Sequence, residues 1–413
     1  MSLKPPRAEK RRRTETWHGH EKHDDYHWLR AENWQEVMHD PTLLPADIRA
    51  YLEAENAYQE AVLADTADLQ QTLFAEMKGR IKEDDSSVPA PDGPFSYYSS
   101  FVTGAQHPRY LRKLRDMSGP EQLLLDGNAL GEGKEYFRIG SIAMSPDHTL
   151  AAWSFDDKGS EFYDLRVRDT STGTDTGDVL VDTAGGATWA ADGKTYFYTL
   201  QDENHRPLKT FRHVLGEPQS ADQLVYEEKD TGMFTGVGKT NSERYIAIDI
   251  HDHDTSEIWI IDATRPEDAP KLIAGRVPGI EYDLEHRDDH FIIRTNAGGA
   301  EDYKIVTAPI ANPSPENWTD LIPYRPGCFI VSMIVLKNWL VRMERENALP
   351  RIVVRHMATG EEHSIAFDEE AYSLGFGEMR EYDTDTLRFS YSSMTTPTQV
   401  YDYHMGERSR VLR

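Results

Sequence analysis

The sequence predicts an all-β protein, a seven-bladed β-propeller preceded by an N-terminal helical arm. Two observations carry this reading. From about residue 84 onward, a unit of turn, strand, polar loop and second strand recurs seven times, at a spacing of roughly 45–55 residues. Before it, apolar residues recur at three- and four-residue steps, the period of a helix and not of a strand.

The arm is assigned to residues 1–83 and the propeller to 84–413. In "PADIRAYLEAENAYQEAVLADTADLQQTLFAEMKGRI", one amphipathic stripe is expected through Ile48, Tyr51, Leu52, Tyr58, Val62, Leu69, Leu73, Phe74 and Met77. Asp47 suits the positive start of a helix, and Gly79 suits its end.

The repeats fall at 90–116, 144–173, 189–216, 239–266, 285–310, 335–360 and 382–407. In the fourth, the alternation in "YIAIDI" and "EIWIID" puts apolar side chains on one face of each strand. Each copy supplies the middle hairpin of a four-stranded blade, with less regular strands before and after it. One blade cannot bury both faces of its own sheet, so blades stack and the ring closes. A β-sandwich or β-helix is the rival, and the regular unit length and copy number favour the propeller. The last copy is expected to hold one strand through Phe389, Tyr391, Thr395 and Thr396, a break at Pro397, and a second strand through Val400, Tyr401 and Tyr403, with no tail and no closing helix.

Composition narrows the function. The chain has 413 residues, 38% hydrophobic and 28% charged, which suits a globular fold. A formal net charge of −26 argues against sequence-independent nucleic-acid binding and suits cationic ligands. "KRRR" at 10–13 reads as a basic terminus. The single cysteine, Cys328, lies in the apolar run "CFIVSMIVL" and reads as a buried thiol; with no intrachain disulfide available, a reducing compartment is expected. The first residues lack an apolar signal core, and no run of about 18 apolar residues could form a membrane-spanning helix. A cytoplasmic location without a membrane partner follows as the expectation.

Catalytic motifs are missing. A serine hydrolase of the α/β type needs its nucleophile on a tight Gly-x-Ser-x-Gly elbow, and no such pentapeptide occurs. Ser373 in "YSLGFG" lacks the preceding glycine, and Ser141 follows Gly140 directly. "HGHEKHDDYH" (His18, His20, His23, His27) and "HDHD" at 251–254 could in principle bind zinc, but the first matches no common ligand spacing and the second falls in a hairpin loop. "NAGGAED" at 296–302 joins two strands, whereas a phosphate cradle opens a helix. No catalytic residue, metal or cofactor is therefore assigned.

Several segments resemble the prolyl oligopeptidase family, most closely its oligopeptidase B branch. "DDYHWLRAENWQEVMHDPTLLPADIRAYLEAENAY" is similar to the N-terminal arm of that family. "LFAEMKGRIKEDDSSVPAPDGPFSYYSSFVTGAQHPRYLRK" is similar to the start of its propeller, and "YSSMTTPTQVYDYHM" to its last blade. The resemblance implies a propeller followed by an α/β-hydrolase domain that carries a Ser-Asp-His triad. It also implies a cytosolic peptidase that cuts short peptides after Arg or Lys, with the propeller excluding large folded proteins.

On that basis the partners expected are a hydrolase domain, missing or separately encoded, and short basic peptides. Acidic hairpin loops then become candidate steering or interdomain residues: Asp156, Asp157 and Glu161 in "DDKGSE", with Glu161 foremost, and Asp202 and Glu203 in "QDEN". A stand-alone scaffold that binds another protein is the main alternative. A propeller glycosidase or lyase is a lesser one, because 71 acidic residues make a close carboxylate pair uninformative.

Overall fold

The computed structural model describes residues 3–413. They form two compact units, one ending at Asp85 and the other running over Ser86–Arg413.

The first unit opens with a hairpin of β1 (Arg13–Trp17) and β2 (His20–Asp24). His18 and Gly19 make its two-residue turn, both at positive φ (51° and 81°), the pairing that matches the twist of the flanking strands. The histidine-rich stretch is thus partly a β-hairpin, with the His23 ring bonded to the Thr14 hydroxyl at 2.8 Å. Helix α1 (Trp34–His39) follows. The helical stretch is divided into α2 (Ala46–Leu63) and α3 (Ala67–Lys78) by a tight turn at Ala64–Thr66. There the Thr66 hydroxyl donates to the Leu63 carbonyl at 2.7 Å, the local competition that makes threonine a poor interior helix residue. Helix α3 stops at Gly79, whose N–H donates to the Ala75 carbonyl. Of the expected stripe, Ile48 is buried, whereas Leu52, Val62, Leu69, Leu73, Phe74 and Met77 are exposed.

The second unit is an all-β propeller built from consecutive antiparallel meanders. β3 (Ala90–Asp92), β4 (Phe95–Ser100), β5 (Arg109–Leu114) and β6 (Gln122–Asp126) form the first sheet. An eight-stranded sheet follows, with β7 (Arg138–Met144), β8 (Leu150–Asp156), β9 (Tyr163–Asp169), β10 (Thr174–Thr183), β11 (Thr188–Trp189), β12 (Thr195–Gln201), β13 (Pro207–Val214) and β14 (Gln223–Glu227). Next come β15 (Phe234–Lys239), β16 (Tyr245–His251), β17 (Ser256–Asp262) and β18 (Lys271–Leu272). The following sheet holds β19 (Tyr282–Arg287), β20 (His290–Thr295), β21 (Lys304–Pro309) and β22 (Thr319–Ile322). After it lie β23 (Cys328–Val335), β24 (Trp339–Glu346), β25 (Leu349–His356) and β26 (Glu362–Ser364). The last sheet is β27 (Tyr372–Phe376), β28 (Thr386–Ser393), β29 (Gln399–His404) and β30 (Ser409–Leu412).

The less regular strand that follows the last hairpin is β30, which pairs with β29 from Tyr401↔Leu412 to His404↔Ser409. β30 is a wholly exposed outer strand with no apolar alternation to betray it. Thr395 and Thr396 lie in the loop before Pro397, their N–H groups bonded to the Ser393 hydroxyl.

Apolar clusters are shared between successive meanders. Leu125 of β6 packs with Trp153 and Phe155 of β8. Leu165 and Leu180 pack with Trp189 and Tyr196, and Phe197 packs with Ile246 and Ile248. Ile258 and Ile260 pack with Tyr282 and Phe291, Ile305 with Val335 and Leu340, and Val341 and Ile352 with Leu387 and Phe389. The two halves of the eight-stranded sheet meet through one backbone pair, Thr183↔Leu200. Beside it, the fully buried His213 ring faces the Asp222 carboxylate at 2.7 Å and the Asp178 carboxylate at 3.2 Å. Gln219 also bonds both the N–H and the carbonyl of Val181.

The seam between the last sheet and the first differs in kind. Arg388 of β28 pairs with Asp402 at 2.7 Å and donates to the Pro89 carbonyl at 2.8 Å. Arg115 pairs with Glu381, and the Arg380 guanidinium lies over the Tyr97 ring at 5.0 Å. Removing one member of a buried ion pair leaves an uncompensated charge. Asp402 would keep its bond to the Arg413 guanidinium at 2.7 Å, so Arg388→Ala should lower stability by about 2 kcal/mol, less than the roughly 3–5 kcal/mol of a fully orphaned buried charge. Arg388→Met with Asp402→Leu should recover most of that loss. Denaturant midpoints of the two variants check both outcomes.

Candidate functional site

In every meander the first and third strands run one way and the second and fourth run the other. The loop between second and third strands therefore shares a rim with the start of the first strand and the end of the fourth. Ser86, just before β3, and Arg413, just after β30, lie at this rim with the loops at 101–108, 157–162, 202–206, 252–255, 296–303, 347–348 and 394–398. Exposed apolar side chains also collect there: Phe101, Val102, Leu349 and Met394 from the loops or their edges, and Val277 between sheets. Met394 is 97% exposed, an extreme for a residue of that type.

The five acidic candidates divide into turn-builders and outward groups. Asp156 is buried; its carboxylate accepts the N–H groups of Lys158, Gly159 and Glu161 at 2.8–3.0 Å. Those bonds use its lone pairs to hold the loop together. Asp202 does the same work for the N–H groups of Asn204 and Arg206, at 2.8 and 2.9 Å. Asp157 is neutralised by the Lys134 ammonium. Glu161, at φ 61°, and Glu203 are exposed at the tips. Their two loops are clasped to each other: the His205 ring bonds the Ser160 carbonyl at 2.7 Å and contacts the Phe162 ring at 4.4 Å. The structure therefore brings Glu161 and Glu203 onto one joined pair of loops.

A charged cavity of about 450 Å³ escaped the sequence reading; its lining includes Cys328, Arg325, Arg342, Glu344, Arg351 and Glu362. Arg342 bonds Glu344 at 2.8 Å and grips both Glu362 oxygens at 2.9 and 3.1 Å, and Arg351 reaches Glu344 at 2.6 Å. Burial would raise the Glu344 carboxyl, but the Arg342 and Arg351 guanidinia outweigh it and hold it below the usual range. Cys328 is buried as expected, its thiol 3.3 Å from Glu344, and burial pushes it up. The signal available was the cluster of charges, Arg342 and then Glu344, Arg345 and Glu346, at the end of a strand that opens with Trp339, Leu340 and Val341.

One serine does meet an imidazole: the Ser242 hydroxyl lies 2.8 Å from His286 Nδ1, and Nε2 faces the Asp288 carbonyl at 2.8 Å. The third partner is a backbone carbonyl and not a carboxylate. The hydroxyl also bonds Thr240 at 3.0 Å and accepts the Arg244 N–H at 3.4 Å. This arrangement clamps the β15–β16 turn onto β19. His251, the last residue of β16 and the first of the stretch weighed for metal, bonds Asp249 at 2.8 Å, and Asp252 accepts the N–H groups of Asp254 and Thr255.

Fold and rim together define a propeller domain with one apolar-studded, acid-tipped face. Residues 5–413 match the family model described as "Prolyl oligopeptidase, N-terminal beta-propeller domain". The chain belongs to the prolyl oligopeptidase family, through that domain. It is 36% identical to dipeptidyl aminopeptidase BI of Pseudoxanthomonas mexicana, over 95% of this chain and 56% of that protein. It is 30% identical to protease 2 of Moraxella lacunata, over the same shares. Among solved structures, oligopeptidase B from Leishmania major superposes with a TM-score of 0.91 at 27% identity, covering 100% of this chain and 60% of that one. The chain thus spans little more than half the length of the relatives it matches.

Burial pushes the Glu285 carboxyl of β19 up to about 7, opposed by the Asn241 N–H it accepts at 2.7 Å. An acid whose folded pKa is raised contributes its full stability below the unfolded value near 4.5 and loses it as pH rises through about 7. Glu285→Gln should match the parent at pH 4 and exceed it above pH 7 by on the order of 1–3 kcal/mol. Urea unfolding at the two pH values measures the difference.

Proposed function

We propose that this chain is the non-catalytic propeller portion of an oligopeptidase B-like serine peptidase, which docks an α/β-hydrolase domain and gates access to it. The observation that carries the reading is the rim where Ser86 and Arg413 lie with Phe101, Val102, Val277, Leu349 and Met394. A domain continuing from that edge would cover those side chains, and the relatives are long enough to hold one, since this chain spans 56–60% of them.

The propeller is read as seven-bladed. The eight-stranded sheet contains two four-strand meanders linked by the single Thr183↔Leu200 pair, and the other five sheets are one meander each. Substrates of the whole enzyme are proposed to be short peptides cut after Arg or Lys. Glu161 and Glu203 are proposed to attract such cations at the rim, an electrostatic contribution to encounter.

Two experiments test this. Alone, the chain should show no turnover of Arg- or Lys-containing chromogenic peptides; activity abolished by a serine-directed inhibitor would sink the proposal. Mixed with a separately expressed hydrolase portion of dipeptidyl aminopeptidase BI, it should restore peptidase activity, with Glu161→Gln/Glu203→Gln raising KM for cationic peptides and flattening its salt dependence. Failure to bind that portion, with capture of an unrelated protein instead, would favour a stand-alone scaffold. By light scattering the chain alone should self-associate with rising concentration, and Val277→Ser/Met394→Ser should shift it toward monomer.

A further inference from the structure

Buried polar atoms in folded proteins are almost always hydrogen-bonded, to protein or to ordered water. Among the described residues, the buried side-chain atoms without a protein partner include the hydroxyls of Thr199, Thr210 and Thr235 and the amide oxygen of Gln201. Strand parity puts these four on one seam. Thr199 and Thr210 are direct cross-strand partners in β12 and β13. Phe197, two residues before Thr199, packs on Ile246 and Ile248, while Tyr196 and Tyr198 pack the opposite way, onto Leu165 and Leu180. Thr199, Gln201 and Thr210 therefore face the β15–β18 sheet. Thr235 is opposite Ile250, which belongs to the cluster holding Phe197, so Thr235 faces back toward them. The three threonines are 0–5% exposed. The remaining unpartnered atoms, on Arg109, Arg166, Tyr196 and Arg355, lie on other strands or on the opposite face.

We infer that the seam between the β11–β14 meander and the β15–β18 sheet holds ordered water, which bridges the three hydroxyls and the Gln201 amide oxygen. The four groups are neutral. The hydroxyls donate and accept, and the amide oxygen only accepts, so a small neutral ligand that does both is the chemistry that satisfies them. A buried water commonly makes two to four such bonds.

A crystal structure of the chain, at a resolution that shows ordered solvent, tests this directly. Density within hydrogen-bond distance of at least two of the four atoms supports the inference. A dry seam, or hydroxyls turned onto backbone carbonyls, overturns it. Melting gives an independent sign. Thr210→Val and Thr235→Val keep the side-chain shape and remove the hydroxyl. With water present each should melt about 1–3 °C lower, because the water loses a partner. If the hydroxyls are truly orphaned, each variant should melt at the same temperature or higher, which also overturns the inference. Should a variant fail to fold, the density in the parent chain decides.

Discussion

A β-sheet with two apolar faces cannot stand alone, and the second unit is organised around that constraint. Phe197 looks toward Ile246 and Ile248, while Tyr196 and Tyr198, its neighbours in the same strand, look toward Leu165 and Leu180. Each meander is stable only when sandwiched, and burial of such side chains is worth roughly 1.5–3 kcal/mol apiece. The exception is the closing seam, where Arg388, Asp402, Arg115, Glu381 and Arg380 replace much of the apolar contact. There the ring is held by directional bonds to specific atoms, including a backbone carbonyl before β3.

The propeller was legible because its middle strands carry both strong signals at once. "YIAIDI" and "EIWIID" alternate cleanly and are bounded by turn residues, and they fold as β16 and β17. Edge strands were harder to read. β30 and β26 are only four and three residues long and show no apolar alternation, so nothing in their pattern reports the pairing that defines them. The helical arm was readable in period, but hydrophobic spacing does not register the Ala64–Thr66 break, where the Thr66 hydroxyl bonds the Leu63 carbonyl. The β1–β2 hairpin was missed for a related reason: its strands are charged, and only the His18–Gly19 turn marks it.

The candidate site was half legible. Acidic residue type located the loops but could not say which carboxylates look outward. Asp156 and Asp202 have short side chains that reach back to their own N–H groups two to five residues on, and they are spent in building the turns. The longer Glu161 and Glu203 are left at the tips. Cooperation between the two loops depends on the His205–Ser160 bond, a contact across 45 residues that no local pattern contains. The Arg342–Glu344–Glu362 network was similarly invisible as a group, since its members come from separate strands and acquire meaning only when β24 and β26 flank β25.

Among the described residues, every meander is drawn from one contiguous stretch of chain, the first sheet being β3 to β6 in order and the last β27 to β30. During synthesis each one can pair its own strands as it emerges, but its leading face stays uncovered until the next arrives. The β3–β6 sheet waits longest. Its outward partner is the last sheet made, some 250 residues later, after Arg388 has been translated. A polar closing seam suits that delay, since a face completed by arginines and carbonyls can remain wetted in the meantime without recruiting the wrong neighbour.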